Sequence, residues 1–161
     1  MWSNIEPVEG GAYDWSSLAA LEVEFLRARA NNLEVIAIVR GVPEWARVPP
    51  YNYACGPINP AALPAFGNFM FALTQRYSGY PYFVKYWEIW NEPDVDPGSL
   101  PHGNYPFGCM GNVNDSNYYG GQYFATVLQA VYPMIKAANP EAQVILGGLL
   151  INYNTLLIPQ N

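Results

Sequence analysis

The sequence predicts an α/β fold in which parallel strands alternate with helices. Segments with apolar residues at helical spacing alternate with short apolar runs that are typical of buried strands. Such alternation requires parallel strand pairing and right-handed crossovers. With 161 residues, of which 51% are hydrophobic and only 12% charged, the chain is long enough for one well-buried core and no more than one domain.

Two stretches in the first half of the chain have the apolar spacing of an amphipathic helix. The first is expected to begin with a serine N-cap at position 16 or 17 and to end at Asn31-Asn32. The second is expected to begin at Asn59-Pro60, with Pro64 as a later alternative, and to end at Gly79. The apolar face of this second helix comprises Phe66, Phe69, Met70, Leu73 and Tyr77.

A third helix is expected in the second half of the chain, from Ser116 or Asn117 to Asn139-Pro140. Pro133 falls within this helix and should kink it, because proline removes one backbone donor. The segment from Trp2 to Gly11 is expected to be a loop.

Three short apolar runs are predicted to be strands, at residues 33–39, 82–90 and 143–146. Gly147-Gly148 follow the last of these runs, and their missing side chains would allow another group to approach the backbone closely. Strand alternation places Glu88 on the same side as Trp90 and approximately Glu92. Because a buried carboxylate needs a cation or a proton, Glu88 is interpreted as structural rather than catalytic.

The second strand run stops abruptly at Asn91-Glu92-Pro93. The carboxyl ends of parallel strands are where α/β proteins keep their active sites, so an amide and a carboxylate at this point suggest chemistry. Pro93 cannot donate to the sheet and is expected to restrict Glu92 to an extended conformation. The alternative is that polar residues merely close a strand before a turn.

The run YWEIWNEP at residues 86–93 resembles the fourth-strand signature of the retaining glycoside hydrolases of clan A, which are (β/α)8 barrels. Three other segments follow the order found in such barrels, and they are residues 2–15, 43–46 and 135–148. The similarity spans nearly the whole chain and is greatest to β-xylosidase-like and cellulase-like members. A complete barrel needs about 250 residues. The resemblance therefore implies one partial barrel domain over residues 1–161, from the loop after strand two to the loop after strand five, whose partner is the remainder of the barrel.

The resemblance also implies an activity, the hydrolysis of O-glycosyl bonds in an oligosaccharide or glycoside substrate, as in polysaccharide degradation. Glu92 matches the family's general acid and base, and Asn91 matches the asparagine that binds the substrate's 2-hydroxyl. The family's nucleophile is a glutamate at the end of strand seven, and no residue of this chain corresponds to it. A non-catalytic carbohydrate-binding or scaffold domain derived from such a barrel is the alternative function.

Three further residues are candidates for substrate binding. Trp45 follows the first predicted strand, and it is either a platform for a sugar ring or packed against its own loop. Arg40 ends that strand, where it orients substrate, neutralises a carboxylate or is merely solvated. His102 lies in a long loop, residues 95–117, that is expected to form part of the cleft wall, although a single histidine in a polar loop is more often just exposed.

Charge and cysteine content narrow the class of protein further. A net charge of −6 with only seven Lys and Arg provides no basic stripe for nucleic acid or for an anionic membrane. With one histidine and no His-x-His or His-Glu-x-x-His motif, no metal and no cofactor are expected. Cys55 and Cys109 lie in loops that should emerge at the same end of the sheet, so a disulfide is plausible and would favour an extracytoplasmic setting.

Overall fold

The computed structural model describes residues 1–100 and 107–150, and its centre is a three-stranded parallel sheet. The strands are β1 (Ile36–Val39), β2 (Tyr86–Ile89) and β3 (Gln143–Leu146), in the spatial order β1-β2-β3. Ile38 lies opposite Glu88, which in turn lies opposite Ile145. The predicted parallel pairing is confirmed, and the strands lie side by side in their order along the chain. β3 has the predicted bounds, whereas β1 and β2 are shorter than the apolar runs that contain them.

In the described part of the chain, four α-helices accompany the sheet, and they are α1 (Trp2–Ile5), α2 (Ala19–Ala30), α3 (Leu63–Tyr77) and α4 (Gly121–Ala138). Single 3₁₀ turns occur at Trp15–Leu18, Glu44–Ala46, Pro60–Ala62 and Pro97–Ser99. The expectation of a loop from Trp2 to Gly11 is wrong for its first part. α1 forms there because the side chains of Trp2 and Ile5 are both buried in the core. Within the described residues, no helix is both long and apolar enough to span a membrane.

Two of the three predicted helix starts differ from the structure, and a side-chain cap explains each difference. The Asp14 carboxylate accepts a hydrogen bond from the Ser16 amide, at 3.0 Å, and so begins the 3₁₀ turn that leads into α2. The Asp115 carboxylate accepts bonds from three amides, of Asn117, Tyr118 and Gly120, which hold the segment before α4 in a turn. α4 therefore starts at Gly121. Asn59 caps the 3₁₀ turn Pro60–Ala62 that leads into α3, since its side chain accepts from the amide of Ala61. α3 itself starts at Leu63, one residue before the alternative start at Pro64.

The core lies between the helices and one face of the sheet. Trp87 and Ile89 of β2 and Val39 of β1 are buried on that face. The predicted apolar face of α3 is buried there as well. On the opposite face, Ile36 and Ile38 of β1 are 55% and 51% exposed. The sheet is thus covered by helices on one side and open on the other.

Candidate functional site

The turn that follows β2 has an unusual backbone conformation. Trp90 has a φ of +65° and Glu92 a φ of +47°, both in the left-handed region that few non-glycine residues adopt. The expectation that Pro93 holds Glu92 extended is therefore wrong. Hydrogen bonds from outside the turn outweigh that local preference, because the Glu92 amide donates to the carbonyl of Gly148 at 2.8 Å. Such conformations cost about 1–3 kcal/mol and persist only where the surroundings enforce them.

The positive φ at Trp90 turns its indole towards the helices. The ring is fully buried and meets Phe66 of α3 edge-on, with centroids 5.9 Å apart. Its Nε1 donates to the carbonyl of Cys55 at 2.9 Å. The prediction that Trp90 shares a side with Glu88 is consequently wrong. Glu88 lies half-exposed on the open face of the sheet.

The returning part of the long loop after β2 packs directly against this turn. The Gly108 amide donates to the carbonyls of Asn91 and Glu92, at 2.6 and 3.1 Å. Further along, the Met110 amide donates to the Pro93 carbonyl at 2.9 Å. A Cβ atom on Gly108 would lie 2.6 Å from the Cα atom of Pro93, so only glycine permits this close approach. The loop therefore forms a wall beside the turn.

A disulfide joins the loops that follow β1 and β2. Cys55 and Cys109 are bonded, with Cα atoms 5.3 Å apart, and the prediction that they lie close together is confirmed. The Cys109 amide also donates to the Cys55 carbonyl at 3.1 Å, the same oxygen that accepts from Trp90. The covalent link thus anchors the indole that begins the turn.

Gly147, directly after β3, packs closely against the backbone at the end of β2. A Cβ atom there would lie 2.6 Å from the carbonyl oxygen of Trp90 and 2.9 Å from that of Ile89. The prediction that a group approaches the backbone closely is confirmed at Gly147, whereas a Cβ atom at Gly148 would meet nothing within 4 Å. The group that approaches Gly147 is the end of β2 itself.

The side chains of Asn91 and Glu92 are both half-exposed at the carboxyl end of the middle strand. Among the described residues, neither side chain is engaged in a hydrogen bond or an ion pair, which leaves the amide and the carboxylate available to a ligand. Within residues 1–100 and 107–150, no group of three or more His, Cys, Asp or Glu side chains is arranged to hold a metal ion. The turn therefore presents a carboxyl group and an amide from a rigid backbone.

Trp45 lies in the 3₁₀ turn after β1 and is half-buried. Its Nε1 donates to the carbonyl of Glu6 at 3.0 Å, and its ring meets Trp2 edge-on at 5.3 Å. These contacts fix the orientation of the indole. Its role as a sugar platform stays a prediction.

Arg40, directly after β1, is half-buried, and its carbonyl accepts from the amide of Trp2 at 2.9 Å. A role for Arg40 in substrate binding stays a prediction. His102 lies outside the described residues.

Glu6 is a buried carboxyl group that the sequence analysis did not single out. Its side chain is 4% exposed, and Oε2 accepts from the Trp2 indole at 2.7 Å. Burial raises the pKa of Glu6, and burial together with the charge of Glu6 raises the pKa of Tyr13. The signal in the sequence was an acid four residues after Trp2, the spacing that brings side chains together on a helical turn.

No protein-family model matches the sequence, and no curated protein matches it. Among solved structures, the chain is similar to a family 39 glycoside hydrolase from the gut symbiont Bacteroides cellulosilyticus WH2, with a TM-score of 0.57 and 19% identity. The match covers 91% of this chain and 24% of that one. The α/β fold described above thus has a structural neighbour among the glycoside hydrolases.

Proposed function

We propose that the chain is the central part of a retaining glycoside hydrolase of (β/α)8 architecture, with Glu92 as its general acid and base. The observation that carries the proposal is the turn after β2. There the Glu92 carboxylate, unengaged among the described residues, stands at the carboxyl end of the middle strand, on a backbone held by Gly148 and Gly108. The fold of the structural neighbour supports the proposed architecture.

Glycosidic bond cleavage requires one carboxylic acid to protonate the departing oxygen and a second carboxylate on the other side of the sugar. Glu92 takes the first role, and Asn91 binds the 2-hydroxyl of the sugar that is attacked. The nucleophile belongs to a part of the barrel outside the strands β1 to β3. In the complete protein, the two carboxyl groups are expected about 5–5.5 Å apart, as in other retaining enzymes. Trp45, Arg40 and His102 are the proposed substrate contacts.

The backbone of the turn suits an acid that must be held in one place. General acid catalysis depends on a donor within hydrogen-bond reach of the leaving oxygen. The backbone of Glu92 is in the left-handed region, and it is held by hydrogen bonds to Gly148 after β3 and to Gly108 in the loop after β2. The acid is therefore held in position before a substrate binds. The strain at this residue is consistent with a functional site.

The test is the substitution Glu92→Gln in the complete protein. Glutamine keeps the shape of the side chain but has no titrating proton, so hydrolysis of β-glycosides with poor leaving groups should fall about 10²–10⁴-fold or more. Activated aryl glycosides, whose leaving group departs unaided, should still form the glycosyl-enzyme intermediate, and added azide should then replace the missing base. Product stereochemistry should show retention.

Glu141→Gln is the matched control, because Glu141 is exposed and precedes β3 at the opposite end of the sheet. This variant should hydrolyse every substrate at the rate of the unmodified protein. An unactivated glycoside hydrolysed equally well by the Glu92→Gln protein would show that Glu92 is not the acid. An unmodified protein that binds oligosaccharides without cleaving them would instead indicate a carbohydrate-binding domain.

A further inference from the structure

The disulfide between Cys55 and Cys109 is buried where two loops meet beside the turn after β2, residues 90–93. Cys55 is 3% exposed and Cys109 is fully buried, so the bond is shielded from solvent. A Cβ atom on Gly56, whose φ is +117°, would lie 3.2 Å from the Met110 side chain. The two loops are therefore joined covalently and packed closely at one point.

The residues on both sides of the second cysteine hold the backbone of the turn. The Gly108 amide donates to the carbonyls of Asn91 and Glu92, at 2.6 and 3.1 Å. The Met110 amide donates to the carbonyl of Pro93 at 2.9 Å. Three consecutive carbonyl groups of the turn are thus bonded to the immediate neighbours of one half-cystine, and a shift of that half-cystine would move both donors.

The first cysteine holds the beginning of the same turn. The carbonyl oxygen of Cys55 accepts from the Trp90 indole at 2.9 Å and from the Cys109 amide at 3.1 Å. Trp90 is fully buried and has the left-handed backbone conformation. One carbonyl group therefore links the indole that starts the turn to the loop that runs along it.

The strained backbone of the turn requires such support. Left-handed conformations at Trp90 and Glu92 persist only where the surroundings over-determine them. In the described part of the chain, the hydrogen bonds from these two loops to the turn come from Cys55 or from the neighbours of Cys109. A disulfide that only restricts the unfolded chain would serve equally well elsewhere in the same loops.

We infer that the Cys55–Cys109 disulfide is a positioning group for the proposed general acid. The inference rests on the proposed function, in which the Glu92 carboxyl group must reach the leaving oxygen. Neither sulfur touches the substrate. The bond fixes the two loops, the loops fix the backbone of residues 90–93, and this backbone directs the side chain of Glu92. Without the bond, the loops are held by hydrogen bonds and packing alone, and the acid spends less time within reach of the leaving oxygen.

The test uses two variants of the complete protein that interrupt the same link at different points. Cys55→Ser/Cys109→Ser removes the covalent bond, whereas Trp90→Phe keeps an aromatic ring and removes the donor to the Cys55 carbonyl. Leu73→Ala is the matched control for lost stability. Leu73 is buried in α3, about 10 Å along the helix from Phe66, the residue that contacts the Trp90 ring. All rates are measured below the melting temperature of the least stable variant.

Two substrates distinguish a misplaced acid from general damage to the site. Phenyl β-xyloside or phenyl β-cellobioside has a poor leaving group that needs a proton, whereas the 2,4-dinitrophenyl glycoside of the same sugar releases its leaving group unaided. The value of kcat/KM reports the steps up to the glycosyl-enzyme intermediate, so the later action of the base does not affect it.

Both variants should lower kcat/KM for the phenyl glycoside about tenfold, less than the loss of about 10²–10⁴-fold expected when the acid itself is removed. They should leave kcat/KM for the dinitrophenyl glycoside unchanged, and Leu73→Ala should change neither value. An equal loss on both glycosides would overturn the inference, since the disulfide would then support the site as a whole. Unchanged kcat/KM for the phenyl glycoside would overturn it too, while cleavage by the unmodified protein would uphold the proposed function. If the double variant does not fold, Trp90→Phe alone decides between these outcomes.

Hydrogen exchange separates failure of the inference from failure of the proposed function. Should the unmodified protein cleave neither glycoside, amide exchange is measured by mass spectrometry over residues 86–95 and 107–111. Faster exchange there in both variants than in Leu73→Ala would sustain the support of the turn by the disulfide while refuting hydrolysis. Exchange equal to that of Leu73→Ala would refute both.

Discussion

The amide of Glu92 donates a hydrogen bond to the carbonyl of Gly148, at 2.8 Å, and so joins the end of β2 to the end of β3. The residue before the acceptor, Gly147, lies against the carbonyls of Ile89 and Trp90. The position of the proposed acid therefore depends on how closely the neighbouring strand approaches. This contact is open to a direct test.

Gly147→Ala is expected to displace the turn. The new Cβ atom would lie 2.6 Å from the Trp90 carbonyl oxygen, which is backbone and cannot rotate away. Overpacking of this kind typically costs about 1–3 kcal/mol, so chemical denaturation should show a loss of that size in the free energy of unfolding. In the complete protein, glycoside hydrolysis should also fall, because Glu92 moves with the carbonyl.

Gly148→Ala is the matched control, since a Cβ atom at Gly148 would meet nothing within 4 Å. This variant should change stability by only a few tenths of a kcal/mol, the range of surface substitutions. Equal stability of the two alanine variants would contradict the close contact at Gly147.

The Cys55–Cys109 bond is expected to stabilise the whole domain. It closes a loop of 54 residues, and disulfides typically contribute about 2–4 kcal/mol, mainly by restricting the unfolded chain. Dithiothreitol should therefore lower the melting temperature of the unmodified protein. The double variant Cys55→Ser/Cys109→Ser should melt at that lower temperature with or without the reductant. A reduced protein with two free thiols and an unchanged melting temperature would contradict this prediction.

The arrangement of the strands could be predicted from the sequence because it follows from periodicity and from the requirement for parallel crossovers. β3 has the predicted bounds, Gln143–Leu146, and the buried face of α3 follows the helical spacing. The conformation of Trp90 and Glu92 could not be predicted in the same way. It depends on hydrogen bonds to residues 16 to 56 positions away along the chain, namely Cys55, Gly108 and Gly148.

Local side-chain capping explains why α2 and α4 start later than the sequence predicts. The sequence predicts N-caps at Ser16 or Ser17 and at Ser116 or Asn117. In the structure, the amides of Ser16 and Asn117 instead donate to the carboxylates of Asp14 and Asp115. Three amides converge on Asp115 and lower its pKa. The proposed roles of Glu92 and Asn91 come from a motif in the sequence, whereas the wall beside them forms only when Gly108 and Met110 fold back onto the turn.

The buried carboxyl group of Glu6 should make stability depend on pH. Burial raises its pKa above the ordinary value of 4.5, so the unfolded chain releases this proton at lower pH than the folded protein does. The contribution of Glu6 is therefore most favourable below about pH 4.5 and declines as pH rises through the raised pKa. Glu6→Gln keeps an oxygen acceptor for the Trp2 indole and removes the charge. It should raise the melting temperature near pH 7 and flatten its pH dependence above pH 4.5.

The control for this prediction is Glu34→Gln, at an exposed position before β1. Thermal melts between pH 4 and pH 8 should give the unmodified profile for that variant. A Glu6→Gln protein that loses stability at pH 7 would show that the ionised carboxylate, rather than the neutral acid, is the stabilising form.

The open face of the sheet should cause the 161-residue chain to associate. Ile36 and Ile38 expose half of their side chains there, and exposed apolar patches of this kind mark interaction surfaces. Light scattering on the 161-residue chain is therefore expected to show species larger than a monomer. A monodisperse monomer with a cooperative melt would show that this face needs no cover.

Ile38→Lys tests whether association depends on the apolar face of the sheet or on the net charge of the chain. The new ammonium would lie next to Glu88 on β2, its partner in the register, and would be attracted to that carboxylate. The substitution also lowers the magnitude of the net charge from −6 to −5, which by itself favours association. Tyr80→Lys makes the same change of charge away from this face. If Ile38→Lys reduces the scattered intensity and Tyr80→Lys does not, the loss of apolar surface must outweigh the change in charge. The isoleucines of β1 would then be the surface through which the chains meet.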